Sequence, residues 1–208
     1  MISASYIKLT INDLTSDHIL YKDDNSKRLI VIFPGGSNSC DQPVLHYLRH
    51  YYLHNNSDVL CLSYSNITLD DDSIEVQFKK IAYALKEAIV KVKKEHKYDE
   101  VVYICRSMGN IVSNDIKNRY PEMIENSVYI SPTSEGLNYI KKYPGLIISS
   151  TNDSYLEEKD YDTLGTFNEE DVMIFEGATH SLSTDDVFET IDICKMTVSK
   201  IINYIENL

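Results

Sequence analysis

The sequence has no apolar run near the roughly 20 residues that a membrane-spanning helix needs. Its first residues, Met1-Ile2-Ser3-Ala4-Ser5-Tyr6, have neither a basic stretch nor an apolar core, so no secretory signal is expected there and the expected compartment is the cytoplasm. The four cysteines, at 40, 61, 105 and 194, contain no CxxC pair. That argues against a zinc site or a disulfide framework and predicts buried or free thiols. Positive charge is scarce: 20 Lys and Arg stand against 32 Asp and Glu, a formal net charge of −12. Such a chain repels phosphate backbones and anionic lipid, so neither nucleic acid nor a membrane surface is an expected partner, and strongly anionic substrates are mildly disfavoured. There is no internal repeat, low-complexity tract or linker, and 208 residues suffice for one substantial core. One domain over 1–208 is expected; oligomeric state is not readable.

What is present is an alternation of short apolar runs and helix-compatible segments. Residues 5–12 alternate and read as a half-exposed strand, with 17–22 able to pair antiparallel to it. Leu29-Ile30-Val31-Ile32-Phe33 is continuously apolar, as in a strand covered on both faces. Similar strands are expected at 59–64, 101–105, 127–131, 146–150 and 171–175. Helices are expected at 43–54, at 108–119, and over the 3–4-residue spacing of Ile74, Phe78, Ile81, Leu85, Ile89 and Val92. A last helix follows Thr184-Asp185-Asp186, with Val187, Ile191, Cys194, Val198, Ile201 and Ile205 as its apolar stripe. Strands alternating with helices imply a mostly parallel sheet covered on both faces. Only 14 residues separate 127–131 from 146–150, so no cap domain is expected there. His46, His50 and His54 recur every four residues but lack a local acid or thiol, and read as a surface stripe; no metal is expected.

In open α/β sheets the chemistry gathers at the carboxyl ends of the strands. The residues there are Gly35-Gly36-Ser37, Ser63-Tyr64-Ser65, Ser107, Thr133-Ser134-Glu135, Asn152-Asp153-Ser154 and Gly177-Ala178-Thr179-His180. Ser107 stands out, since Val101-Val102-Tyr103-Ile104-Cys105 breaks off at Arg106-Ser107-Met108-Gly109 and a helical segment follows. A strand turning sharply into a helix presents one side chain at its apex, and the residues two before and two after it must be small. Here those are Cys105 and Gly109.

Cys-Arg-Ser-Met-Gly, Ser-Thr-Asn-Asp-Ser and Gly-Ala-Thr-His-Ser, in that order, with Pro-Gly-Gly after the third strand, resemble the α/β-hydrolase superfamily over about residues 5–206. The resemblance implies an eight-stranded α/β-hydrolase sheet without a cap and a serine triad of Ser107, Asp153 and His180. Two departures stand out: Cys105 replaces the usual elbow glycine, and Pro34-Gly35 replaces His-Gly in the oxyanion loop. Each role has a physical demand. A hydroxyl needs a base, His180; the imidazole needs its tautomer fixed and its developing charge stabilised, by Asp153. The oxyanion needs two preorganised amides, Met108 and Gly36, with Ser37 next. Glycine at 35 and 36 would let the loop approach the bound carbonyl. Glu135, Asp162 and Asp185 are alternative acids, and Cys105 is expected to pack and not to react. Tyr64 and Tyr155 are candidate pocket walls, and Arg106 is either an ion-pair partner or a contact for a substrate carboxylate.

The expected activity is hydrolysis of a small ester, or a thioester or amide, through an acyl-enzyme, with a small-molecule acyl substrate and no cofactor. The alternatives are a ligand-binding protein of the same fold with little turnover, and a peptidase or acyltransferase.

Overall fold

The computed structural model describes residues 2–11, 14–23, 26–64 and 74–208. Asn12, at the end of the first expected strand, and Ser65 lie outside these residues. In chain order the elements are β1 (Ser3–Ile11), β2 (Leu14–Lys22), β3 (Arg28–Phe33), α1 (Pro43–Leu53), β4 (Ser57–Cys61), α2 (Ile74–Glu95), β5 (Glu100–Arg106), α3 (Met108–Arg119), β6 (Asn126–Ile130), α4 (Ser134–Ile140), β7 (Leu146–Asn152), α5 (Glu158–Leu164), β8 (Val172–Thr179) and α6 (Val187–Ile205). The eight strands form one sheet in the order β1-β2-β4-β3-β5-β6-β7-β8. β1 pairs antiparallel with β2, and β2 antiparallel with β4; every other pairing is parallel.

The continuous apolar strands are explained by burial on both faces. Along β3 and β5, Leu29, Val31, Phe33, Val101, Tyr103 and Cys105 meet α2, α3 and α4 through Ile81, Leu85, Ile89, Val112, Ile116 and Leu137. The intervening Ile30, Ile32, Val102 and Ile104 meet α1 and α6 through Leu45, Leu48, Tyr52, Ile193, Ile201 and Ile205. Two apolar layers thus clamp the parallel strands, and their carboxyl ends are left to the loops.

Three expectations need correction. β4 stops at Cys61 and not at 64: the Ser63 amide donates to His18 Nδ1 and the Tyr64 amide to Asn38 Oδ1, so neither continues the ladder. β8 runs past 175 to Thr179, through an irregular register opposite Ser150–Asn152. In α6 the stripe facing the core is Ile193, Thr197, Ile201 and Ile205, whereas Val187 and Ile191 are exposed. The first half of that helix is apolar on two faces, so packing against α1 chose between them.

Two short helices, α4 and α5, were not legible because seven residues show too little periodicity. The β6–β7 connection holds only α4, so no cap domain is inserted there. Among the described residues no helix is long and apolar enough to cross a membrane, and no group of three or more His, Cys, Asp or Glu could hold a metal ion. His46 and His50 lie exposed along α1, and His54 is exposed at its C-terminal cap. All four cysteines are free.

Candidate active site

Ser107 is the single residue between β5 and α3, with φ 49° and ψ −118°. A non-glycine residue in this region carries about 1–3 kcal/mol of strain and persists only when its neighbours over-determine it. They do so here. The Ser107 amide donates to Ile130 O at 2.9 Å, and the fully buried Asn110 donates from Nδ2 to Ser107 O at 2.9 Å and to Ile130 O at 3.1 Å. A Cβ on Gly109 would lie 2.4 Å from Phe33 O and 2.8 Å from Pro34 O, so α3 enters against the end of β3 where no side chain fits. Cys105 is sealed in the core, and burial pushes its thiol up to about 11, so it packs as a small apolar side chain.

Asp153 and His180 directly follow β7 and β8. Ser107 Oγ lies 2.8 Å from His180 Nε2, and His180 Nδ1 lies 2.8 and 2.9 Å from Asp153 Oδ2 and Oδ1. Because Nδ1 faces two carboxylate oxygens, the ring proton belongs there, and the Nε2 lone pair is left to accept from the serine hydroxyl. Asp153 Oδ1 also accepts from the Tyr155 amide at 2.9 Å, and the Asp153 side chain has no solvent exposure. It is Asp153, and not the exposed Glu135 in the first turn of α4, that faces the imidazole. The Tyr155 ring lies 4.4 Å from the His180 ring, tilted by 48°, while Tyr155 itself is largely exposed. The turn carrying His180 is held by Ser150 Oγ donating to Thr179 O at 2.9 Å and by the Thr179 amide donating to Ser183 O at 2.9 Å.

The loop after β3 sits beside the elbow. A Cβ on Gly35 would be 3.3 Å from Ser107 Cβ and 3.0 Å from Arg106 Nη1, whereas one on Gly36 would meet nothing within 4 Å. Glycine at 35 thus lets the loop lie close against Arg106 and Ser107, while the space beside Gly36 is open. The loop is pinned from behind. The Asn38 amide donates to Gly35 O at 2.8 Å, Asn38 Nδ2 to Ser63 Oγ at 3.1 Å, and Tyr64 Oη to Pro34 O at 2.7 Å. Tyr64 thus acts as a strut for the loop. Ser37 Oγ accepts from Gln42 Nε2 at 3.0 Å. Met108 opens α3, so its amide has no partner within the helix.

Behind the loop, His18 on β2 is fully buried. Its Nδ1 accepts from the Ser63 amide at 3.0 Å, which leaves Nε2–H to donate to Ser16 Oγ at 2.9 Å. Burial lowers its pKa to about 4, with the nearby Asp17 offsetting this in part. Arg106, the last residue of β5, is 8% exposed; burial pulls its guanidinium below its usual value and Asp153 partly opposes this.

Sequence reasoning missed His18, Asn38, Asn110 and Ser150. Only Asn110 left a trace, an amide three residues past the serine in the first turn of a helix, where asparagine is a poor helix former.

No family model and no curated protein matches the sequence. Solved structures do. A predicted CIB-like hydrolase from Thermoplasma acidophilum superposes with a TM-score of 0.68 at 16% identity, over 98% of this chain and 100% of that one. A serine hydrolase without a lid from Xanthomonas campestris gives 0.69 at 13% identity, over 97% and 94%. A dienelactone hydrolase from Anabaena variabilis gives 0.69 at 12% identity, over 98% of both chains. Sheet order and these superpositions agree: the chain has the α/β-hydrolase fold.

Proposed function

We propose that the protein is a serine hydrolase that cleaves a small ester, or a thioester or amide, through an acyl-enzyme. The observation that carries this reading is the unbroken hydrogen-bonded line from Ser107 Oγ through His180 to Asp153, at the carboxyl end of the parallel sheet. Ser107 Oγ attacks the carbonyl carbon while its proton passes to His180 Nε2. Asp153 holds the tautomer and stabilises the imidazolium that forms. Negative charge on the carbonyl oxygen is met by the Met108 amide at the head of α3, with the Gly36 amide as second donor and Ser37 next. His180 then gives its proton to the leaving alcohol, thiol or amine. A water molecule, deprotonated by the same nitrogen, releases the acid and restores Ser107. Among the described residues no cap domain covers the strand ends, which favours a modest acyl group.

A fluorophosphonate probe tests the reading. It should label Ser107 in the wild type and not in Ser107→Ala. Asp153→Asn should cost about 10⁴-fold in kcat on p-nitrophenyl acetate through the wrong histidine tautomer, with an unchanged circular dichroism spectrum. Labelling of the wild type no stronger than that of Ser107→Ala would sink the proposal.

A further inference from the structure

We propose that Arg106 is a carboxylate subsite, so that the preferred substrate is an ester bearing a second, free carboxylate group. This rests on Ser107 being the nucleophile and names the substrate class for that same site.

The chain has four arginines. Arg28 holds Glu100 and Glu206, Arg49 holds Asp41, and Arg119 holds Asp115. Arg106 is more deeply buried than any of these, yet its guanidinium makes no hydrogen bond or ion pair among the described residues. Burying a cation without a partner is the costly arrangement, and proteins keep it where a ligand supplies the partner. The nearest acid, Asp153, does not fill this role: both its oxygens face His180 Nδ1, and one also accepts from the Tyr155 amide. Nor is the guanidinium sealed in, since none of its nitrogens is among the fully buried atoms that lack a partner.

Its position is specific. Arg106 immediately precedes Ser107, and Arg106 Nη1 and Ser107 Cβ flank the same point, the place where Gly35 lacks a side chain. A molecule whose carbonyl carbon lies against Ser107 Oγ therefore has the guanidinium edge within reach of its own substituents. A guanidinium presents parallel N–H donors in a fixed fork that matches a carboxylate, and an ammonium does not. In a chain of net charge −12, this cation is what would hold an anionic substrate in place.

The test compares near-isosteric esters in the intact protein: monoethyl glutarate against ethyl 5-methylhexanoate, and acetoxyacetate against isobutyl acetate, followed by acid release. In the wild type, at least one acid ester should exceed its neutral partner in kcat/KM by about tenfold or more. Arg106→Gln should lower that ratio by about tenfold, to near one, chiefly through KM, while the fluorophosphonate still labels Ser107. Arg106→Lys should recover only part of the ratio. No acid preference in either pair overturns the proposal. So does an equal fall for acid and neutral esters in kcat, which would make Arg106 a support for Asp153. Calorimetric titration of glutarate reads the subsite without turnover: it should bind wild type and Ser107→Ala and not Arg106→Gln. Binding of this pattern without fluorophosphonate labelling would remove the hydrolase reading and leave the subsite; absence of binding in the wild type would remove the subsite.

Discussion

Acid should weaken this fold through one buried histidine that sits behind the active-site loop. His18 is neutral in the folded chain because burial lowers its pKa from 6.5 to about 4. In the unfolded chain it takes up a proton near 6.5. A depressed folded value means that the contribution is complete above the unfolded value and is lost as pH falls toward the folded one. The two values are about 2.5 units apart, each unit corresponding to about 1.4 kcal/mol, so the full loss is about 3 kcal/mol and about 2 kcal/mol of it falls between pH 7.5 and pH 5. Carboxylates add to any acid destabilisation, so the contribution must be read as a difference. His18→Asn keeps an acceptor near the Ser63 amide and cannot titrate. Urea unfolding at pH 7.5 and pH 5 should show wild type losing about 2 kcal/mol more than His18→Asn across that interval. Equal losses in the two proteins would refute the reasoning. In the folded chain His18 takes up its proton only near pH 4; that removes the acceptor for the Ser63 amide, and Ser63 holds Asn38, so the loop after β3 should loosen near pH 4 and not between pH 7.5 and pH 5.

A second titration has the same sign at higher pH. Lys117 is buried, donates to Ser127 Oγ at 2.6 Å and Tyr129 Oη at 2.9 Å, and lies over the rings of Tyr103, Tyr129 and Tyr143. Burial lowers its pKa from 10.5 to about 8. The unfolded chain therefore holds the proton over a window where the folded chain has released it, and stability should rise by about 1 kcal/mol between pH 7.5 and pH 9. Lys117→Met should abolish that rise in urea titrations; an unchanged rise would exclude Lys117 as its source. At the elbow, Gly109→Ala forces a Cβ against the Phe33 and Pro34 carbonyls and should cost about 2 kcal/mol or more. Gly36→Ala meets nothing and should change stability by less than about 0.5 kcal/mol, so similar thermal shifts for the two variants would contradict the packing described for this loop.

Much of this architecture is legible in the order of residues. Runs such as Leu29–Phe33 and Val101–Cys105 announce strands buried on both faces, because alternate side chains enter opposite apolar layers and none can be polar. Serine, aspartate and histidine each follow a strand in that order, and the parallel sheet brings strand ends together whatever the loop lengths. α6 shows the limit. Two of its faces are apolar near the start, so periodicity alone could not tell the buried Ile193 from the exposed Ile191. α4 and α5 were too short to show a period at all.

From the sequence alone came the fold class, the elbow at Ser107 and the candidacy of Asp153 and His180, since these depend on local apolar pattern and chain order. Tertiary structure decided what depends on distance between segments far apart in the chain. It brought the Asp153 side chain, and not that of Glu135, against His180 Nδ1; it set Gly35 close against Arg106 and Ser107; and it turned Tyr64 into a strut of the loop. It also left Arg106 buried beside Ser107 with no hydrogen bond or ion pair to its guanidinium among the described residues. Whether a charged side chain is paired is set by which distant groups the packed fold brings within about 4 Å of it, and sequence neighbours do not determine that.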